Sequence, residues 1–247
     1  MSIKINFICD IDSVLSDYIR HINNKRLLTV YFGEKFDNNN INNCVYNNLN
    51  ERIINKIVEC IGIAQYFLDR ELSKENRELL IDNYEWKICV GKDGFMFDYP
   101  FTLEDVIFLP MSYINESDIK MLSKTLFHEY IHISQRKIPG KWDKHIDNVS
   151  KKKYNINWKK IKNIKHSNLN DVIIWNPDTY YNDNFVIEND DIYYKGYLIL
   201  GDDNKFQTKW FEFDGNKFIP AKSIYKYEHP YEMLAYLLSN CVDKKDI

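Results

Sequence analysis

The sequence predicts an α+β protein built around one helix that carries an HExxH motif. Residues 118–136 have the periodicity of a long, mostly buried helix, and short apolar strands precede it. Residues 172–224 change to short aromatic strands separated by turn-forming Asn, Asp and Gly, the pattern of an antiparallel meander. A final helix is predicted over 230–242, where Pro230 suits the first helical position. Together these patterns predict a fold that contains both helices and a sheet.

These elements are predicted to form a single domain over 1–247. Its core is expected at about 50–136 and 225–247, around a small mixed sheet. The basic and β-rich residues at about 137–224 are expected to form a long insertion before the last helix. A chain of 247 residues, 45% hydrophobic and 28% charged, is long enough for one sizeable core.

Composition also bounds the environment of the protein. No apolar stretch approaches the roughly 18 residues that span a bilayer, so no membrane partner is expected. Asp10 and Asp12 interrupt the N-terminal apolar run, which argues against a signal peptide. The five cysteines are odd in number, widely spaced and without a CxxC pair, which argues against a disulfide framework. These features predict a cytoplasmic or other reducing intracellular compartment.

The N-terminal half contributes the elements that support the central helix. Residues 3–9 predict a strand and residues 13–28 a helix. A helix over 49–72 places four apolar side chains on one face, and a shorter helical piece is expected over 73–81. The four side chains are those of Ile53, Ile57, Ile61 and Ala64. Strands are predicted over 86–90 and 106–109.

The helix over 118–136 is expected to begin at a cap on Asn115 or Ser117 and to end at Pro139-Gly140. One stripe along it is apolar. A second stripe, with spacings of four and three residues, contains Met121, Thr125, His128, His132 and Gln135. Because the two stripes occupy most of the circumference, the helix is predicted to be central and buried.

His128-Glu129-Tyr130-Ile131-His132 is the HExxH motif of this helix. Residues four apart share one helix face, so His128 and His132 can both bind one Zn²⁺ at roughly 2.0–2.1 Å. Glu129 projects beside the metal, where its carboxylate can take a proton from zinc-bound water and pass it to a leaving amine. The motif predicts one zinc ion per chain and a peptide or protein substrate.

A catalytic zinc usually takes a third protein ligand. An HExxHxxGxxH pattern would need Gly and His where this chain has Gln135 and Ile138. Glu232, on the predicted last helix, is the favoured third ligand, and His229 and His145 are kept as reserves. No residue is assigned to stabilise an oxyanion, because packing is the more common role of tyrosines such as Tyr225, Tyr227 and Tyr231 near Glu232.

The pair of segments HEYIH and HPYEMLA resembles the gluzincin branch of the zincin metallopeptidases, in which a second helix supplies a glutamate ligand. The resemblance covers about residues 85–136 and 225–242. It implies a zincin-like fold, with His128, His132 and Glu232 as zinc ligands and Glu129 as general base. It also implies that residues 106–109 form an antiparallel edge strand that pairs with substrate backbone. The 100 residues from His132 to Glu232 exceed the separation in compact gluzincins.

The start of the insertion is strongly basic. Residues 137–166 contain ten Lys and two Asp, a balance of +8 in a chain of net charge −3. One amphipathic helix is predicted there from Trp158, Ile161 and Leu169. A solvated face is the favoured interpretation of the lysines, and contact with nucleic acid through 137–166 is the alternative.

Two other functions remain as alternatives. A catalytically inactive zincin-like binding module would keep the metal, although the presence of Glu129 weighs against it. Asp10 and Asp12 after a strand resemble the nucleophile motif of haloacid-dehalogenase-like phosphatases, with Gly201-Asp202-Asp203 as an acidic pair. That fold requires a parallel sheet, whereas residues 172–224 predict antiparallel hairpins.

Overall fold

The computed structural model describes residues 3–12, 14–15, 41–82, 84–161, 173–174, 176–179, 184–200, 206–213 and 217–244. Within these ranges the protein is α+β, as predicted. The chain clusters into two compact units, residues 1–138 with 235–247, and residues 139–234. The single domain expected from the sequence stays a prediction. None of the described helices is both long enough and apolar enough to cross a bilayer.

The first unit contains a four-stranded mixed sheet. In the order β1-β2-β4-β3, its strands are β1 (Ile5–Phe7), β2 (Trp86–Gly91), β4 (Val106–Pro110) and β3 (Phe101–Leu103). Strands β1, β2 and β4 run parallel, and β3 is antiparallel to β4. The near-continuous apolar sequence of β2 and β4 fits their position in the middle of the sheet, where their residues are largely buried.

The expected edge position of residues 106–109 is wrong. Strand β4 pairs with β2 on one side and with β3 on the other. Glu104, with a φ of 50°, lies in the turn that folds β3 back onto β4. The short strand β3 therefore occupies the edge of the described sheet that the sequence had assigned to β4.

The first unit also contains four described helices. They are α1 (Glu51–Arg70), α2 (Lys74–Arg77), α3 (Met111–Glu116) and α4 (Ile119–Lys137), with 3-10 segments at Ile41–Cys44, Phe95–Asp98 and Asn240–Lys244. The predicted face of α1 is buried, and α1 packs against α4. Trp86 of β2 stacks on Tyr130 of α4 with ring centroids 5.4 Å apart. The HExxH helix is thus held between a helix and a sheet.

The N-cap of α4 is Asp118 and not Asn115 or Ser117. The Asp118 carboxylate accepts a hydrogen bond from the Met121 backbone N–H at 2.7 Å. Asn115 lies inside the separate helix α3, and Ser117 is the residue at its end, where its N–H donates to the Tyr113 carbonyl. The predicted helix over 13–28 lies mostly outside the described residues.

The second unit contains an antiparallel sheet, as the meander pattern predicted. Its strands are β5 (Asn157–Lys160), β6 (Ile173–Ile174), β7 (Phe185–Asn189), β8 (Ile192–Leu200), β9 (Phe206–Phe213) and β10 (Phe218–Ala221). The order is β10-β9-β8-β7-β5, with β6 also paired to β8. A cluster of aromatic and aliphatic side chains forms a core on the sheet, made of Tyr197, Ile199, Phe211, Phe213 and Phe218.

The helix predicted around Trp158 and Ile161 is wrong, because Trp158 lies in strand β5 and pairs with Ile187 of β7. The helix of this region comes earlier, as α5 (Pro139–Val149), and a π-helical turn follows at Ser150–Tyr154. Pro139 begins α5 instead of only ending α4, which agrees with the tolerance for proline in the first helical turn. The side chains of Trp142, His145 and Ile146 form the buried face of α5.

The last helix, α6 (Pro230–Ser239), begins at Pro230 as predicted. The boundary between the two units falls inside it, between Leu234 and Ala235. Residues 230–234 of α6 therefore group with the second unit, and residues 235–239 with the first.

Candidate metal centre

Helix α4 places the two histidines of the motif with their ring nitrogens facing each other. His128 Nε2 and His132 Nε2 are 3.0 Å apart, and the ring centroids are 4.7 Å apart. Two neighbouring ligands of a tetrahedral zinc, each at roughly 2.0–2.1 Å, are separated by about 3.3 Å. The observed separation of the two Nε2 atoms is therefore close to the one that a shared zinc ion requires.

Gln135 fixes the orientation of the second imidazole. The carboxamide Oε1 of Gln135 lies 2.8 Å from His132 Nδ1, and both side chains are fully buried. Because a carbonyl oxygen only accepts, Nδ1 must carry the proton in this contact, which leaves Nε2 as the unprotonated nitrogen of the neutral ring. Such an outer contact is the usual support of a metal-binding histidine.

The exposure of this helix face changes along its length. Met121 is 50% exposed, Thr125 and His128 are half-buried, and His132 is fully buried. Met121, Thr125 and His128 follow one another at spacings of four and three, so they lie along one side of α4. The exposed fraction of this helix face therefore falls from Met121 to His132.

Glu129 is buried, with 4% of its surface exposed. Tyr113 of α3 lies near it, and its hydroxyl is 2.6 Å from the hydroxyl of Thr125, one turn before Glu129 on α4. Burial raises the pKa of Tyr113, hydrogen bonds with Thr125 and Ser117 lower it, and the negative charge of Glu129 raises it. Glu129, which follows His128 in the chain, therefore sits in a water-poor environment.

Glu232 lies near the two histidines. Helix α6 is continuous, so Glu232 is about one turn before Tyr236, whose ring centroid lies 4.5 Å from that of His128. One ligand atom from each of His128, His132 and Glu232 lies within 4.8 Å of the others. This upper value exceeds the spacing around a tetrahedral zinc by about 1.5 Å. Rotation of a glutamate side chain covers a difference of that size.

The reserve ligands His145 and His229 are not part of this cluster, which is the only group of three or more metal-ligating side chains found among the described residues. His145 packs against Trp142. The backbone N–H of Tyr231 donates to His229 Nδ1 at 3.1 Å, and Phe185 packs against the His229 ring. Both histidines are therefore used by packing and hydrogen bonding within the second unit.

The tyrosines that neighbour Glu232 in sequence are also packed. The Tyr231 hydroxyl donates to Asp143 Oδ1 at 3.0 Å, and burial raises its pKa. Tyr225 stacks edge-on against Tyr227, and burial raises the Tyr225 pKa to about 12. The tyrosine beside the histidines is Tyr236 instead. Its position could have been inferred from the i, i+4 relation to Glu232.

Sequence reasoning also missed Asn176, 56 residues before Glu232. The Nδ2 amide of Asn176 donates to Glu232 Oε1 at 2.8 Å and to Glu228 Oε1 at 3.1 Å. No sequence pattern near Asn176 indicated this contact, because it depends on how the second unit folds.

The donor set fits a zinc ion. Two imidazoles and one carboxylate are the ligands that catalytic zinc takes in several peptidases, and three protein ligands leave a position for water. A hydrogen-bonded histidine pair alone would explain the contact between the two Nε2 atoms. A carboxylate oxygen of Glu232 is the third member of the group.

The phosphatase motif has less support in the geometry. Asp10 and Asp12 are exposed, and Asp10 Oδ1 accepts a hydrogen bond from Asn42 at 3.1 Å. Gly201, Asp202 and Asp203 lie outside the described residues. Strand β1 does run parallel to β2, but the 172–224 region is antiparallel wherever it is described.

Comparison with protein-family models, with curated proteins and with solved structures finds no match to this chain.

Proposed function

We propose that this protein is a zinc-dependent peptidase of the gluzincin type. The observation that supports the proposal most strongly is the grouping of His128, His132 and Glu232, whose ligand atoms lie within 4.8 Å of one another. Two imidazoles and one carboxylate are a recurrent ligand set of catalytic zinc ions. The resemblance of the two segments HEYIH and HPYEMLA supplies the substrate class, a peptide or protein.

In this proposal the His128 and His132 imidazoles and the Glu232 carboxylate would hold a zinc ion. A zinc ion held there would supply a Lewis acid for the scissile carbonyl and would lower the pKa of a water molecule. Glu129 accepts a proton from the attacking water as the new carbon–oxygen bond forms. It then delivers that proton to the leaving amine as the carbon–nitrogen bond breaks. The burial of Glu129 limits competition from bulk water during both transfers.

The proposal is tested by metal analysis together with a proteolysis assay. We expect about one zinc per chain in the wild type and cleavage of a diverse peptide library, scored by mass spectrometry. Glu129→Gln should keep the zinc and lose cleavage by about 10²–10⁴-fold, the usual contribution of general acid–base catalysis. Glu116→Gln, at an exposed position on α3, is the matched control and should leave both properties unchanged.

The contrary outcomes separate the alternatives. Retained cleavage by Glu129→Gln would remove Glu129 as the base. A zinc-loaded wild type that cleaves no peptide would indicate the binding module. A zinc-free protein whose phosphatase activity requires Mg²⁺ and is lost in Asp10→Asn would replace the peptidase proposal.

A further inference from the structure

We propose that Asn176 is a positioning residue that holds the Glu232 carboxylate in place for the metal. The inference rests on the proposed metal site, and it assigns a function to the segment of the second unit that carries Asn176. That function is to orient the third ligand, to which Asn176 is joined by a direct hydrogen bond.

The side chain of Asn176 is itself fixed. Its Oδ1 accepts a hydrogen bond from the Asp178 backbone N–H at 2.9 Å, and its backbone carbonyl accepts one from the Thr179 N–H at 3.2 Å. This is the geometry of an Asx turn. Because Oδ1 is engaged as an acceptor, the amide plane is set and the Nδ2 donors point away from the turn.

Those donors meet two carboxylates. Nδ2 donates to Glu232 Oε1 at 2.8 Å and to Glu228 Oε1 at 3.1 Å. A planar amide that binds both groups fixes the carboxylate of Glu232 relative to the segment before α6. Carboxylates that bind metals are ordinarily hydrogen-bonded in this way, and loss of such a contact weakens metal binding by about 10–100-fold.

The sheet of the second unit holds the segment that carries Glu228. A Cβ added at Gly196 of β8 would lie 2.8 Å from the Glu228 Cα, so the absence of a side chain at Gly196 permits the close approach. The Trp210 indole N–H of β9 donates to the Tyr225 carbonyl at 3.0 Å. Strands β8 and β9 therefore anchor residues 225–228, and Asn176 links Glu228 to Glu232.

The chain does not need Asn176 to form α6. Pro230 begins the helix, and the Met233 N–H already bonds to the His229 carbonyl. A role of Asn176 that was only structural would therefore act on the stability of the second unit. A positioning role would act on zinc affinity through Glu232, and the two roles can be separated.

The experiment is a double-mutant cycle on zinc affinity. Asn176→Ser keeps a side-chain acceptor for the Asp178 N–H but is too short to bridge the two carboxylates. The zinc dissociation constant is measured by competition with a chromophoric chelator for wild type, Asn176→Ser, Glu232→Ala and the double variant. Asn189→Ser, at an exposed position of β7, is the matched control. The visible spectrum of the cobalt(II)-substituted protein gives a second readout of ligand geometry.

We expect Asn176→Ser to weaken zinc binding by about 10–100-fold and to change the cobalt spectrum. In the Glu232→Ala background the same substitution should have no further effect, because the group on which it acts is gone. Asn189→Ser should match the wild type throughout.

Two results would overturn the inference. One is an unchanged zinc affinity and cobalt spectrum in Asn176→Ser, and the other is an equal loss of affinity with and without Glu232. A wild type that binds zinc but cleaves no peptide would refute the peptidase and leave this test intact. A wild type that binds no zinc would refute both proposals.

Discussion

The two halves of the candidate metal centre are held in different ways. His128, His132 and the supporting Gln135 all lie on α4 within eight residues, so helical geometry alone brings them together. Glu232 depends instead on contacts that are distant in sequence, because its partner Asn176 is 56 residues away. One half is built by local structure and the other by tertiary structure.

This difference has an energetic consequence. The histidine pair forms whenever α4 forms, and α4 is capped by Asp118 and packed between α1 and the sheet. The Glu232 half needs the Asn176 turn and the sheet segment beside Gly196 to be in place. We therefore expect substitutions of the proposed ligands to lower zinc affinity most. Substitutions of residues that hold Glu232 through tertiary contacts should lower zinc affinity less.

The largest effect is expected at the local half. His132→Ala should abolish stoichiometric zinc binding, a loss of more than about 10³-fold, because one imidazole then remains on α4. Metal content after dialysis measures this directly. His145→Gln, a substitution of the reserve histidine on α5, should retain zinc. Loss of zinc in His145→Gln with retention in His132→Ala would contradict the assignment of the ligands.

Glu232→Ala should follow, with a loss of zinc affinity of about 10²–10³-fold, since the two imidazoles would still bind the ion. The neighbouring Glu228→Ala is the matched comparison, because Glu228 shares the Asn176 amide but lies outside the cluster. It should change affinity only a few-fold. Equal losses in the two variants would show that Glu232 acts through the general negative charge of the segment and not as a ligand.

Substitutions of Gln135 test whether zinc binding needs the hydrogen bond between Gln135 Oε1 and His132 Nδ1. Gln135→Leu should weaken zinc binding by about 10–100-fold, because the His132 ring loses the acceptor at Nδ1. Gln135→Glu keeps an acceptor at that position and should retain most of the affinity. Competition with a chromophoric chelator measures both variants. Identical behaviour of Leu and Glu at position 135 would refute an orienting hydrogen bond.

The smallest effect on zinc is expected at Gly196. Gly196→Ala places a Cβ against the Glu228 backbone, so the second unit should lose about 1–3 kcal/mol of stability and zinc affinity should fall only a few-fold. Gly62→Ala is the matched control, since an added Cβ there meets no atom within 4 Å and lies inside helix α1. It should stabilise the protein by up to about 1 kcal/mol and leave zinc binding unchanged. Thermal unfolding and chelator competition give the two readouts, and a larger loss of stability in Gly62→Ala than in Gly196→Ala would contradict the packing argument.

The same contrast explains what the sequence could predict. Helix α4, the face of α1, the antiparallel meander and the Pro230 start of α6 follow from local periodicity and turn chemistry, and each was predicted correctly. The apolar sequence of β4 does not reveal its pairing partners. A strand whose two faces are both buried has the same apolar pattern at the edge of a sheet as in the middle. The spacing of Trp158 and Ile161 mimics helical periodicity, but pairing with β7 places Trp158 in a strand.

For the candidate site, the motif spacing indicated His128, Glu129 and His132, and the helix context indicated Glu232. Tyr236 and Gln135 were within reach of the same helical reasoning, at i+4 from Glu232 and i+3 from His132. Asn176 and Gly196 were not, because their relation to the site exists only once the strands of the second unit have paired.

Anomalous diffraction at the zinc edge, on crystals of the zinc-loaded protein, tests the account most directly. We predict one strong peak per chain, bound by the Nε2 atoms of His128 and His132 and by a carboxylate oxygen of Glu232, with a further position open to water. A peak bound by other side chains, or one bound by the histidines with Glu232 turned away and no other protein ligand, would contradict it.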